Sequence, residues 1–375
     1  MQKWQKIAAA AGVVLLIAAG GMAAHLYAGR KATEAFDEAQ RAKWESQGQQ
    51  GRVVGKQEID YAMFSDNEFD YGRAYSRPQL FKENRILYDG KHYVRHTGIK
   101  AILLLGVDRK AGDFLEERLP VDQGQADAIY LLAYNTSRNS VKILQIPRDT
   151  MSVMHNTDDT GKDDGMKVDG LTMAFNSGDG VTLSCERACE ATGFMLGGLT
   201  MDHYMVGDIN VITDLNDLLG GVTVTVPRDG METVDPAFVK GAKVTLHGPQ
   251  AERFVRARDV KVDNSALYRM GQHKAYMMGF QRRLKQCMKN DSRIVDRMFD
   301  TVGNDMMTDM KRPEYTELTL SLLASGQDLM DGDFLVLPGE PKPTQTHGED
   351  VYDDYYPHYA DINRMVLDLF YYPTD

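Results

Sequence analysis

Residues 7–28 constrain this chain most. They form an apolar run of about 22 residues whose only strongly polar member, His25, sits near the outer end. As a helix rising about 1.5 Å per residue, the run spans roughly 33 Å, enough for one hydrocarbon core. Lys3 and Lys6 precede it. Arg30 and Lys31 follow and are soon diluted by Glu34, Asp37 and Glu45, so flanking charge sets the orientation only weakly. A cleaved leader would have an apolar core of about 7–15 residues and an A-x-A site. This run is longer and no A-x-A pattern ends it, so an uncleaved, single-pass anchor is expected, with nearly all of the mass on one side of a membrane.

Residues 29–51 read as a polar stalk helix ending in a Gln/Gly stretch, and residues 52–85 show no clear periodicity. Ile86-Leu87-Tyr88, Asp89-Gly90 and His92-Tyr93-Val94 form a hairpin signal, because Asp-Gly supplies the positive φ values of a type I′ turn. Beyond residue 98 the pattern sharpens. Residues 101–107, 128–134 and 141–146 are apolar runs short enough for buried strands. Residues 181–193 and 205–219 carry helical spacing, and Gly220-Gly221 separates the second from a strand at 222–226. Further helices are predicted at 250–258, 270–290, 315–324 and 362–370. Alternating strands and helices predict one large α/β domain over 98–375, preceded by an anchor (1–28) and a stalk with accessory segment (29–97).

Charge and cysteine content exclude several functions. Lys+Arg 43 against Asp+Glu 54 leaves −11, which argues against a general nucleic-acid binder. Three cysteines make no disulfide framework. Cys185 and Cys189 lie one helical turn apart and are expected to be a free, buried pair. Walker, zincin and serine-hydrolase motifs are absent. The Asp-rich stretch 158–165 tempts a calcium reading, but either glycine register puts Leu171 or Lys167 where the bidentate Glu belongs, so a solvated loop is expected.

Chemistry is concentrated where Asp and Arg meet strand ends. Asp108-Arg109 follows the first buried strand, Asp127 opens the next, and Arg148-Asp149 ends the third. Arg256, Arg258 and Arg269 follow later within a short stretch. Ligands of open α/β sheets gather beyond strand ends, and two carboxylates with several arginines suit a divalent cation plus a polyanion. Singly, each residue also has an ordinary reading as a cap, a turn or an exposed helix end.

The order of these motifs resembles the LytR-CpsA-Psr family of cell-envelope proteins. The resemblance is carried by ILLLGVD (102–108), QADAIYLLAYN (125–135), VKILQIPRDT (141–150), LLGGVTVTVP (218–227), LHGPQAERFVRARD (246–259) and YRMGQHKAYM (268–277). It implies a three-layer α/β/α domain with a central mixed sheet, lying outside the cytoplasmic membrane behind the N-terminal transmembrane helix. It also implies a Mg²⁺-dependent phosphotransferase moving a glycopolymer, teichoic acid or capsule, from a polyprenyl-pyrophosphate carrier to peptidoglycan, with the lipid in an apolar tunnel covered by the helices around 181–219. By position, Asp108 and Asp127 match the metal-side aspartates. Arg148 and Asp149 match the I-P-R-D pair, with Asp127 and Asp149 both candidates for the base. Arg109, Arg148, Arg256, Arg258, Arg269 and Gln272 fall at pyrophosphate-binding positions. Gln125 stands where many members have Arg, Gln272 and His273 stand where the second Arg and Gln of R-x-x-R-Q are usual, and Arg109 is adjacent to Asp108, with Lys110 at the family's usual Arg position. These departures keep two other readings in view: a non-catalytic binder of lipid-linked precursor, and a polyprenyl-pyrophosphate hydrolase.

Overall fold

The computed structural model describes residues 59–64, 66–108, 124–158, 160–208, 211–258, 265–302, 306–324, 328–347 and 350–374. The anchor and stalk expectations, and Arg109, lie outside the described residues. So does the Asp108 side chain, although its backbone ends a strand. Among the described residues no helix is long and apolar enough to cross a membrane.

The first hairpin forms as its sequence requires. Strands β1 (Arg85–Tyr88) and β2 (Lys91–Arg95) pair antiparallel, with Asp89 at φ 52° and Gly90 at φ 70° in the turn. A six-stranded mixed sheet follows, built from β3 (Ile99–Asp108), β4 (Gln125–Asn135), β5 (Ser140–Ile146), β8 (His203–Asp208), β11 (Met306–Thr308) and β12 (Phe334–Val336), in the order β11-β8-β3-β4-β5-β12. The β3–β4 and β4–β5 pairs are antiparallel, and β8 and β12 add in parallel.

Strand β3 reads as unbroken apolar residues because both its faces are covered. Leu103, Leu105 and Val107 enter one core with α1 (Thr182–Met195) and α7 (Tyr359–Phe370). Ile102 and Leu104 enter the other with α2 (Val211–Leu218), α3 (Pro249–Arg256), α4 (Ser265–Asn290), α5 (Ile294–Val302) and α6 (Arg312–Ala324). Helices therefore flank a mixed sheet on both sides.

One predicted helix divides. Residues 205–219 hold the end of strand β8 and then α2. Short apolar runs fit either period, and parallel pairing of β8 with β3 decides for strand. Of the Asp-rich stretch, Asp158 and residues 160–162 lie in the exposed turn between β6 (Met151–Thr157) and β7 (Asp163–Gly170), as the loop reading expected. Asp163, Asp164 and Gly165 instead open β7, because their backbone pairs with β6. Asp158 accepts from the Thr160 hydroxyl at 2.6 Å and from the amides of Lys162 and Thr160 at 3.0 and 2.9 Å, which lowers its pKa. Cys185 and Cys189 are free, and burial pushes both thiols up. Strands β9 (Val222–Thr225) and β10 (Lys243–Leu246) form a separate ribbon, and β13 (Gly339–His347) with β14 (Asp350–Pro357) another. The short β15 (Tyr371–Pro373) pairs with β2.

Candidate functional site

A β-bulge presents Asp127. Gly106 pairs with Ala128 and Val107 with Ala126, so Asp127 is the extra residue of β4, free of the ladder. Bulges re-aim side chains at strand ends, and this one delivers a carboxylate to the edge of the sheet. Two arginines from other elements meet there. Arg148, just after β5, donates through Nη1 to Asp127 Oδ1. Arg269, in the second turn of α4, donates through Nη1 to Asp127 Oδ2 at 3.1 Å. Arg148 also donates through Nε to Asp149 Oδ1 at 3.0 Å and through Nη2 to Gln125 Oε1 at 3.4 Å. A guanidinium has five N–H donors, so these contacts fix the plane of Arg148 and still leave donors for a ligand.

The arginines at the end of α3 belong to the same field. Burial lowers the Arg258 pKa, and the guanidiniums of Arg269, Arg148 and Arg256 lower it further, while Asp149 acts the other way. Arg256 is the last residue of α3 and pairs with Glu252 at 3.3 Å. The fold thus gathers Asp127, Arg148, Asp149, Arg256, Arg258 and Arg269 from four separate segments. Like charges so close together are costly unless an anion joins them, so the arrangement suits a polyanion.

Gln272 lies elsewhere than its motif position implies. It is fully buried, with its amide donating to the carbonyls of Phe254 at 2.9 Å and Ala257 at 2.6 Å. It therefore supports the backbone between Arg256 and Arg258, with no surface left for pyrophosphate. Arg228, which no motif singled out, completes this clamp. Its Nη2 donates to Ala257 O at 3.0 Å and its Nε to Gln272 Oε1 at 3.3 Å, while its guanidinium lies 5.8 Å from the Tyr268 ring centroid. A hydrogen bond to a backbone carbonyl 29 residues away has no sequence signature. Arg228→Ala should weaken anion affinity at this site about tenfold, the equivalent of one charge-assisted bond, with little change in the turnover of bound substrate. A separate readout of KM and kcat checks this; an unchanged KM would contradict it.

His273 sits one turn after Arg269. Its Nε2 faces Val255 O at 3.1 Å and its Nδ1 the Tyr130 hydroxyl at 2.5 Å. A carbonyl can only accept, so Nε2 carries the proton and Tyr130 donates to Nδ1. Burial, then the Arg269 charge, holds the ring's pKa at about 3, and burial pushes the Tyr130 phenol up. The folded pKa lies below the ordinary value of about 6.5. The unfolded chain therefore binds the extra proton first, and stability falls as pH drops from about 6.5 towards 3. His273→Gln should flatten that slope, giving a smaller loss of Tm between pH 7 and pH 5 than the unmodified chain shows. Equal losses would contradict the neutral, buried ring.

Two cavities differ in size. Asp127, Tyr130, Arg148, Met270 and His273 border a narrow space of about 10 Å³, room for no more than a single water. A larger cavity of about 490 Å³ lies beside α1, with Val153, Met154, Ala191, Leu199 and Met201 among its walls. For a cation, Asp127 and Asp149 are described carboxylates at this edge, and the buried Asp208 ends β8 opposite Val107. The backbone of Asp108 is opposite Gln125, two residues from Asp127. Mg²⁺ is commonly held by one or two carboxylates and phosphate oxygens. Among the described residues no three His, Cys, Asp or Glu side chains gather to hold a metal ion, and both Asp127 oxygens accept from guanidiniums.

The sequence model of the LytR_cpsA_psr family matches residues 81–364. A polyisoprenyl-teichoic acid–peptidoglycan teichoic acid transferase TagU from Bacillus cereus (strain AH820) is 32% identical over 158 residues, covering 42% of this chain and 44% of that protein. The matched part thus spans less than half the length of that relative. A crystal structure of a Streptococcus agalactiae protein overlays with a TM-score of 0.55 at 21% identity, covering 73% of this chain and 88% of the other. A structure of TagT bound to LI-WTA overlays with a TM-score of 0.51 at 20% identity, covering 73% and 90%.

Proposed function

This chain belongs to the LytR-CpsA-Psr family, and on that premise we propose that it is a membrane-anchored phosphotransferase moving a teichoic-acid-type glycopolymer from a polyprenyl-pyrophosphate carrier to peptidoglycan. The activity named for the Bacillus cereus relative supports this substrate class. The observation that carries the reading is the pair of guanidiniums on the bulged Asp127, with Arg256 and Arg258 in the same field. That is a prepared seat for pyrophosphate. Residues 7–28 are the anchor, residues 29–97 the stalk and accessory segment, and residues 98–375 the extracytoplasmic catalytic domain.

In the reaction, an acceptor sugar hydroxyl forms a new P–O bond to the glycopolymer phosphate. The bond to the lipid phosphate breaks, and polyprenyl monophosphate leaves. Arg148, oriented by Asp127 and Asp149, stabilises charge on the oxygens in flight, while Arg256 and Arg258 hold the leaving phosphate. Arg269 keeps Asp127 in place from behind. The acceptor proton goes to Asp149. A carboxylate gripped by two guanidiniums, as Asp127 is, makes the weaker base. Mg²⁺ held by Asp127 and Asp108 would supply further neutralisation of the pyrophosphate.

Full-length protein in detergent, lipid-linked polymer and peptidoglycan make up the test. Polymer joined to peptidoglycan with release of polyprenyl monophosphate is the expected result. Release of phosphate without joining would mean a hydrolase, and binding without turnover a precursor-binding protein; either outcome replaces the proposal. Omission of Mg²⁺ in the same assay tests the cation.

A further inference from the structure

At the opposite end of the central sheet, the start of β3 borders a cavity of about 250 Å³. Asp108 and Lys100 are eight residues apart on one strand, so roughly 26 Å separates this cavity from the site above. At about 30 Å³ per water, the space holds one phosphate group with part of its hydration shell.

Its wall is cationic on an acidic chain. Lys82, Arg95 and Lys100 line it against the single carboxylate of Asp202. Glu83, beside Lys82 in sequence, is exposed and lies outside the wall. Asp202 cannot neutralise three cations. Its Oδ2 already accepts from the Ala101 amide at 2.8 Å, Lys100 approaches Oδ1 at 3.2 Å, and Arg95 is more distant at 3.5 Å. Asn84, Thr97 and Thr200 add neutral donors around the same space.

Arg95 is fixed by packing more than by pairing. Its guanidinium lies 4.6 Å from the Phe370 ring centroid and 5.9 Å from that of Tyr371, and its side chain is 14% exposed. Its Nη1 is buried with no hydrogen-bond partner among the described residues. That nitrogen has no accessible surface, so an anion in the cavity meets the guanidinium through its other donors. Burial lowers the Arg95 pKa, opposed by Asp202, as expected of a cation short of counter-charge.

We propose that this cavity is a second anion site, taking a phosphate mono- or diester between Arg95, Lys82 and Lys100. Arg95 is the preformed fork, held flat on the aromatic rings so that little rotamer freedom is lost on binding. The lysines add point charge at the mouth. The site does not depend on the transferase reading, because it shares no residue with the arginine cluster at the other end of the sheet.

Inorganic phosphate titrated into the full-length protein in detergent, followed by calorimetry, provides the test. Unmodified protein should show two classes of site. Arg95→Gln and Lys100→Gln should each weaken one class about tenfold or more and spare the other, while Arg148→Ala should do the reverse. Lys100 is a half-exposed strand-end residue, so its variant keeps the test open should Arg95→Gln unfold. Phosphate binding that survives both substitutions unchanged, or that Arg148→Ala removes completely, overturns the proposal. Two soluble probes then identify the source: a glycerol-phosphate trimer for a polymer phosphodiester, and dihexanoyl-phosphatidylglycerol for a lipid headgroup. The tighter probe, sensitive to Arg95→Gln, names the natural ligand class.

Discussion

Arg148→Ala is expected to lower transfer about 10²–10³-fold while the domain stays folded, the loss typical when one preorganised donor to developing charge is removed. The side chain is 19% exposed and reaches out from a loop, so little packing depends on it. Its three contacts, to Asp127, Asp149 and Gln125, orient the group. Arg148→Lys should recover little. An ammonium on a flexible stem cannot meet Asp127 and Asp149 together and still face a phosphate. Rates from a purified full-length protein, beside a thermal melt, decide this. Activity within threefold of the unmodified chain, with an unchanged melt, would remove Arg148 from the site.

Much of this centre could be read before any coordinates, because strand ends advertise themselves. Apolar runs at 101–107, 128–134 and 141–146 mark β3, β4 and β5, and the residues that end them, Asp108, Asp127 and Arg148, necessarily lie along one edge or the other of the sheet. The bulge was not legible. It depends on a register shift opposite Gly106-Val107, which no composition rule announces, and it turns Asp127 from a strand residue into a hub. Gln272 misled for a related reason. Its spacing of three from Arg269 puts both on one face of α4, but a long guanidinium reaches the cleft where a shorter amide stays in the core. Arg228 had no signal at all, since the Ala257 carbonyl and the Gln272 amide oxygen that it meets are brought near only by the fold. The division of 205–219 into strand and helix shows the same limit. Local period was ambiguous there, and the partner strand β3 chose.

The second large effect belongs to Asp127, which is expected to couple stability to activity where Arg148 does not. Arg269 is 6% exposed and meets the Asp127 carboxylate from the buried side, while Arg148 meets it from the cleft. Asp127→Asn keeps the shape and removes the charge, and it turns an amide N–H₂ toward one of two guanidiniums. Breaking a buried ion pair from one side costs about 3–5 kcal/mol. With Asp127 itself 22% exposed, solvent reduces that to about 2–3 kcal/mol here. For a domain of this size the melt should fall by roughly 5–10 °C. Transfer should fall at least as far as in Arg148→Ala, because both arginines lose their anchor together. The double variant Asp127→Asn/Arg148→Ala should then be hardly slower than Asp127→Asn alone, since the two residues act as one unit. Additive losses in that cycle would mean that Asp127 acts separately from the arginines, as a base or a cation ligand, and omission of Mg²⁺ would distinguish between those two roles.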